Sequence, residues 1–186
     1  VNIYFNEEFK NSVYLNRAET GLDFYIGNNP YFINIILEKF TVMNPDNYFI
    51  YTMTNYQQSN LVSFSCQSAV LTPIQNDLYV SPTGNDDNDG LSASSPLKTI
   101  NFAMMKIQPD SLSERKIILL PGTYSVGNGQ TLPIGLRSYI SLEGIDKESV
   151  ILDGEFENSI FIDSGSRFNY TLSNFKTQNT KGSWGG

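Results

Sequence analysis

The sequence predicts an all-β chain wound as a right-handed parallel β-helix (a β-solenoid), with a short capping α-helix at its N-terminal end and a β-rich segment before it. Three observations carry that expectation. Short apolar segments recur through the second half, each closed within a few residues by Gly, Asp or Asn. A pattern of Asn, Leu, Phe and Asn at fixed offsets occurs twice. Between its two copies lies a turn-rich stretch that leads into a single helical stripe.

The apolar segments are Lys116–Leu120, Tyr139–Leu142, Val150–Leu152, Ser159–Ile162 and Tyr170–Leu172. Their length and β-branched content fit short strands, and the residues after them are those that turns require. Alternation alone does not separate a solenoid from a β-sandwich. The repeat favours the solenoid. Asn34, Leu37, Phe40 and Asn44 recur as Asn169, Leu172, Phe175 and Asn179. Upstream, Val13 to Asn16 resembles Val150 to Asp153, and Phe24 to Gly27 resembles Ile160 to Asp163. Leu15 to Leu37 spans 22 residues and Leu152 to Leu172 spans 20, separations expected of one coil stacked on the next. Asn44, Asn174 and Asn179 are candidates for an Asn ladder inside the coil.

The opening of the second half reads Leu78-Tyr-Val-Ser-Pro-Thr-Gly84, then Asn85-Asp86-Asp87-Asn88-Asp89-Gly90, then Pro96-Leu-Lys-Thr99-Ile100. Ser95 is a candidate N-cap with Pro96 at the first helical position. Ile100, Ala103, Met104 and Ile107 then fall on one helical face, and Pro109 ends the helix. A solenoid end exposes core and unpaired strand edge, and this amphipathic helix is suited to cover it.

Leu78 to Ile100, with the later Leu120-Pro-Gly122-Thr-Tyr124, resembles the N-terminal capping region of pectate-lyase-like right-handed parallel β-helices, of the DUF1565 and polysaccharide-lyase-like type. The resemblance covers Leu78 to Gly186 and is specific for fold. It is weak for reaction, because lyases, other carbohydrate-active proteins and surface proteins share this opening region. Two regions are therefore expected: a β-rich segment over 1–76, read as the tail of a preceding β-helix with a small β-sandwich as the alternative, and the cap and first coils of a β-helix over 77–186. The start at Val1 and the close at Ser183-Trp184-Gly185-Gly186 lead us to expect a piece of a longer protein.

Composition narrows the function classes. Twenty Asn with only 17% charged residues suit many short strands and turns, although AT-rich codon usage raises Asn as well. A net charge of −7 offers no basic patch to displace counterions, so nucleic acid is not expected as a partner. Polyanions such as pectate would need a bridging cation. No apolar run approaches the roughly 20 residues of a membrane span. Cys66 is alone and His is absent, which excludes His-dependent triads and His-based metal motifs within these residues.

The acidic loop is the candidate metal site. Asn85, Asp86, Asp87 and Asp89 offer oxygens of the kind calcium prefers. The bidentate Glu of an EF-hand is replaced by Pro96, and an Asx-rich turn bonded to its own backbone explains the same residues. The lyases that the resemblance brings to mind pair a calcium site with a Lys or Arg base. Here Arg137, Lys147, Arg167 and Lys176 are the available bases, each equally a solvated charge. Asp153 and Asp163 are the carboxylates a glycosidase would need, but their separation suits corner turns on different faces. Trp184, in a Gly-rich setting, is the candidate for stacking on a sugar ring.

The expected function is a secreted or cell-surface bacterial module, polysaccharide-associated or adhesive and non-catalytic within these residues, with calcium as the one conceivable cofactor. Two alternatives remain: the N-terminal part of a calcium-dependent polysaccharide lyase or other carbohydrate-active enzyme, and a structural stalk.

Overall fold

The computed structural model describes residues 12–16, 23–26, 32–46, 48–52, 62–162 and 169–181. The chain divides into two compact units, Val1–Thr72 and Pro73–Gly186.

In the first unit the described strands are β1 (Phe24–Ile26), β2 (Ile33–Phe40), β3 (Ile50–Thr52) and β4 (Val62–Ala69). β1 pairs with β3 and β2 with β4, both in parallel. The inner face of β2 carries Ile33, Ile35 and Leu37, all buried. Phe40 is fully buried, with its ring 6.0 Å from that of Phe24 and 4.7 Å from that of Phe64.

The second unit is a parallel β-solenoid whose coils run through three sheets. Its strands are β5 (Leu78–Val80), β6 (Arg115–Leu119), β7 (Gly122–Tyr124), β8 (Ile134–Gly135), β9 (Ile140–Gly144), β10 (Val150–Asp153), β11 (Phe161–Ile162), β12 (Leu172–Ser173) and β13 (Lys176–Gln178). One sheet has the order β12-β9-β6-β5, the second β13-β10-β7 and the third β11-β8. Every pairing among them is parallel. Each of the five apolar segments read from the sequence contributes to one of these strands.

Register explains why the apolar residues alternate. Leu78, Ile117, Leu142 and Leu172 form one inward column, and Tyr124 and Leu152 pair in the neighbouring sheet. Leu78, Ile117, Leu142, Tyr124 and Leu152 are fully buried, whereas Leu172 in the last described coil is 37% exposed. The Tyr124 hydroxyl donates within 2.8 Å of the Val80 carbonyl and 2.7 Å of the Leu120 carbonyl, which satisfies a polar group inside an apolar core. Burial pushes its pKa well above the ordinary phenol value.

The coil is longer than the sequence repeat suggests. Ile117 pairs with Leu142 and Leu142 with Leu172, so one coil takes 25 to 30 residues. Leu152 pairs with Thr177, not Leu172, and lies on a different sheet from Leu172. In the first unit Leu37 pairs with Cys66, 29 residues on, while Leu15 is 38% exposed at a positive φ. The spacings of 20 and 22 therefore joined residues on different faces. Apolar identity recurs on every face of a coil, so matching Leu to Leu does not set the register. The Asn positions also differ from expectation. Asn174 and Asn179 have φ of 58° and 49° at corners, and Asn44 and Asn174 are exposed, so they are not an interior ladder. Asn tolerates the left-handed conformation better than most residues, which is what these corners use.

The helix α1 (Ile100–Lys106) starts four residues later than Ser95 and Pro96 implied. Thr99 is the N-cap, and its hydroxyl accepts from the Phe102 N–H. Leu97 instead bridges in parallel to Val80 and donates to the Tyr79 carbonyl, which holds it against β5 and out of the helix. The predicted stripe is otherwise as expected: Ile100, Ala103, Met104 and Ile107 are each fully buried. Burying such side chains stabilises by about 1.5–3 kcal/mol for each large one. Ile107 closes the helix and bridges in parallel to Ile74.

Candidate functional site

Among the described residues of the second unit, polar side chains gather at the surface in the acidic loop before α1 and at the corner that follows β10. In the loop, a side chain at Gly84 would sit 2.3 Å from the Leu97 carbonyl, so only glycine lets the two strands of the loop approach this closely. The Asn85 carbonyl oxygen Oδ1 then accepts from the Asp87 N–H at 3.0 Å, an Asx turn. Asp89 Oδ1 accepts from Leu91 N–H at 3.0 Å, and these bonds hold its carboxyl below the usual range. Asn88 donates to the Pro96 carbonyl at 2.8 Å.

Asp86 is the most committed member. Its Oδ1 accepts from Lys98 N–H at 2.9 Å and Thr99 N–H at 2.8 Å, and its Oδ2 from the Thr99 hydroxyl at 2.8 Å. The carboxylate thus fixes the residues that begin α1. It also explains the delayed helix start, because these N–H groups are oriented toward Asp86 rather than along a helix axis. Lys106 reaches back from the last turn, and its ammonium donates to the Asn88 carbonyl at 2.8 Å. Burial draws the Lys106 pKa below its ordinary value, while Asp89 and Asp86 pull it the other way.

Calcium needs several oxygens turned toward one point. In this loop those of Asn85, Asp86 and Asp89 accept hydrogen bonds from the surrounding chain, and a tethered ammonium lies beside the carboxylates. Among the described residues no group of three or more acidic or thiol side chains is placed to hold a metal ion. The hydrogen bonds are those of an Asx-rich turn bonded to its own backbone.

The remaining predicted residues are spread over the coils. Arg137 is buried at 8% exposure, and its Nη1 donates to the Met104 carbonyl at 2.7 Å and the Ile107 carbonyl at 2.9 Å. It ties the C-terminal end of α1 to the coil. Lys147 is exposed in the turn between β9 and β10. Lys176 pairs with Glu148. Arg167, Asp163 and Trp184 lie outside the described residues.

Asp153 ends β10. Its Oδ2 accepts from Gln178 Nε2 at 2.8 Å and Asn179 Nδ2 at 3.3 Å, and its Oδ1 from Glu155 N–H at 2.8 Å. The Gln178 bond and then the Glu155 N–H hold its carboxyl below the ordinary range. Such a group stitches adjacent coils and shapes the corner. Directly after it, Glu155 and Phe156 both have positive φ, 53° and 61°, and the Phe156 side chain is 74% exposed. Sequence reasoning passed over both Lys106 and Phe156. Lys106 meets Asn88 only when α1 folds back on the loop, and Phe156 looks like one more apolar residue in a strand-rich chain.

A family model described as a protein of unknown function, DUF1565, matches residues 82–182. No curated protein and no solved structure matches the chain. No helix among the described residues is long and apolar enough to cross a membrane.

Proposed function

The chain belongs to the DUF1565 family, and from that premise we propose that it is a non-catalytic β-helix module that associates with polysaccharide outside the cytoplasm, at a bacterial surface or secreted from it. The observation that supports this is how its ionisable groups are deployed. Arg137 is spent on helix carbonyls, Asp153 on the next coil, Lys176 on Glu148 and Asp86 on the cap. Elimination at a uronate needs a base facing the α-proton and a cation at the carboxylate. Glycoside hydrolysis needs two carboxyl groups across one groove. Neither constellation is assembled by the described residues, whereas the parallel pairing sets the outward side chains of successive coils in register, a repeat that would suit a chain-like ligand.

The test is retention in native gels containing dissolved polysaccharides, run beside an assay for new reducing ends and unsaturated uronates. Retention without product is the expected outcome. Product formation would instead favour a carbohydrate-active enzyme, and absence of both would leave the stalk.

A further inference from the structure

We infer that Asn128 is a self-modification site, at which the Gly129 backbone nitrogen displaces the side-chain amide when the turn between β7 and β8 opens. This goes beyond the polysaccharide reading above and does not depend on it.

Of the twenty Asn in the sequence, Asn128 alone is followed by Gly. That pairing matters because a Cβ on the following residue would obstruct the approach of its nitrogen to the Asn side chain, and glycine has none. The reaction needs only water. The Gly129 nitrogen gives up its proton and bonds to Asn128 Cγ, the bond from Cγ to the side-chain nitrogen breaks, and that nitrogen takes the proton and leaves as ammonia. Water then opens the cyclic imide at either carbonyl, giving Asp or isoaspartate.

The fold decides when this happens. Asn128 is exposed at the end of the 3-10 turn Val126–Asn128, and Gly129 closes that turn at a φ of 87°. In the closed turn both reacting groups are engaged. Asn128 Nδ2 donates to the Thr123 carbonyl at 2.9 Å, and the Gly129 N–H donates to the Val126 carbonyl at 2.9 Å. A nitrogen whose proton is held by a carbonyl is a poor nucleophile, so attack requires the turn to open. Two contacts oppose opening. The Ser125 hydroxyl accepts from the Asn128 N–H at 3.3 Å, and the Glu155 carboxylate on the following coil accepts from the Gly127 N–H at 3.1 Å. Lys98 works in the other direction. Its side chain lies against Gly129, where a Cβ would meet Lys98 Nζ at 3.0 Å. An ammonium so close favours ionisation of the Gly129 N–H and steadies the oxyanion that forms at Cγ. The product alters the corner, because a carboxylate at position 128 has no donor for the Thr123 carbonyl. It also adds a negative charge one residue from the Gly127 that Glu155 holds, which weakens that bond between coils.

The experiment holds the 186-residue chain in mildly alkaline buffer, folded or in urea, and follows each Asn by peptide mass mapping with separation of the Asp and isoaspartate products. Wild type is compared with Glu155→Asn and Lys98→Met. Asn tolerates the left-handed conformation that residue 155 adopts, and its shorter side chain draws back from Gly127. In urea Asn128 should convert ahead of every other Asn, and in the folded chain it should convert more slowly. Glu155→Asn should speed the folded reaction about five- to tenfold, the population shift expected when one hydrogen bond that opposes opening is lost. Lys98→Met should slow it about two- to fivefold, the size of an exposed charge interaction. Both variants should match wild type in urea. Amide exchange at Gly129 measures the opening without any substitution, and its protection should account for the ratio of the urea and folded rates. Earlier conversion of another Asn in urea would overturn the site. Equal rates in urea and in the folded chain, or an unchanged rate in Glu155→Asn, would overturn the gate, and an unchanged rate in Lys98→Met would remove Lys98 from the reaction.

Discussion

Replacing Arg137 with Met separates a structural cation from a catalytic one. The guanidinium is buried and donates to the Met104 and Ile107 carbonyls, two acceptors at the end of α1 that have no continuing helix to bond them. Met keeps the length of the side chain but provides no donor. Each carbonyl left buried without its partner costs about 1–3 kcal/mol, so the pair predicts a loss of about 2–6 kcal/mol. The favourable charge at the helix C-terminus disappears as well. With a mid-range urea slope of about 2 kcal/mol per molar, the unfolding midpoint should fall by about 1–3 M. Amide exchange gives the local readout. The Ala103 and Ile107 N–H groups, bonded to Thr99 and Ala103 within α1, should lose protection ahead of the β6 and β9 amides. Arg137→Lys should recover part of the loss, because an ammonium can still reach one carbonyl. A change under about 0.5 kcal/mol, the size of an ordinary surface substitution, would refute the structural role given to Arg137.

Two further outcomes concern the polar turns. Because the loop oxygens are engaged by backbone donors and Lys106 lies beside them, adding EDTA or millimolar calcium should leave the melting temperature of the chain unchanged. A shift of several degrees in differential scanning calorimetry would assign calcium to Asn85, Asp86, Asp87 and Asp89. Asp153 has a depressed folded pKa, so its contribution to stability is present above the ordinary value of 3.8 and is lost as pH falls through the lower folded value. Asp153→Asn should therefore flatten the acid side of a plot of melting temperature against pH, only below that ordinary value. An unchanged acid limb would mean that its bonds to Gln178 and Asn179 do not hold in solution.

What the sequence by itself determined is the material of the coil. Strands such as Val150–Asp153 and Ile140–Gly144 are written as short β-branched or aliphatic runs that end in turn residues, and these signals are local. The buried stripe of α1 was legible for the same reason, since its period of 3.6 lies within one segment. Register was a different matter. Leu152 and Leu172 share residue type, yet the coil length that assigns them to separate sheets is fixed by where corners close, and Asn174, Asn179, Glu155 and Phe156 close corners through contacts with neighbouring coils. Tertiary structure also decided the start of α1. Ser95 and Pro96 carry the stronger local signal, but Asp86, thirteen residues before Thr99, captures the N–H groups of Lys98 and Thr99 and moves the cap to Thr99. The same folding back brings Lys106 to Asn88 and Arg137 to the helix carbonyls. Hydrogen bonds between residues 12 to 33 positions apart leave no mark on local composition or periodicity, and in this chain they decide which charges are structural.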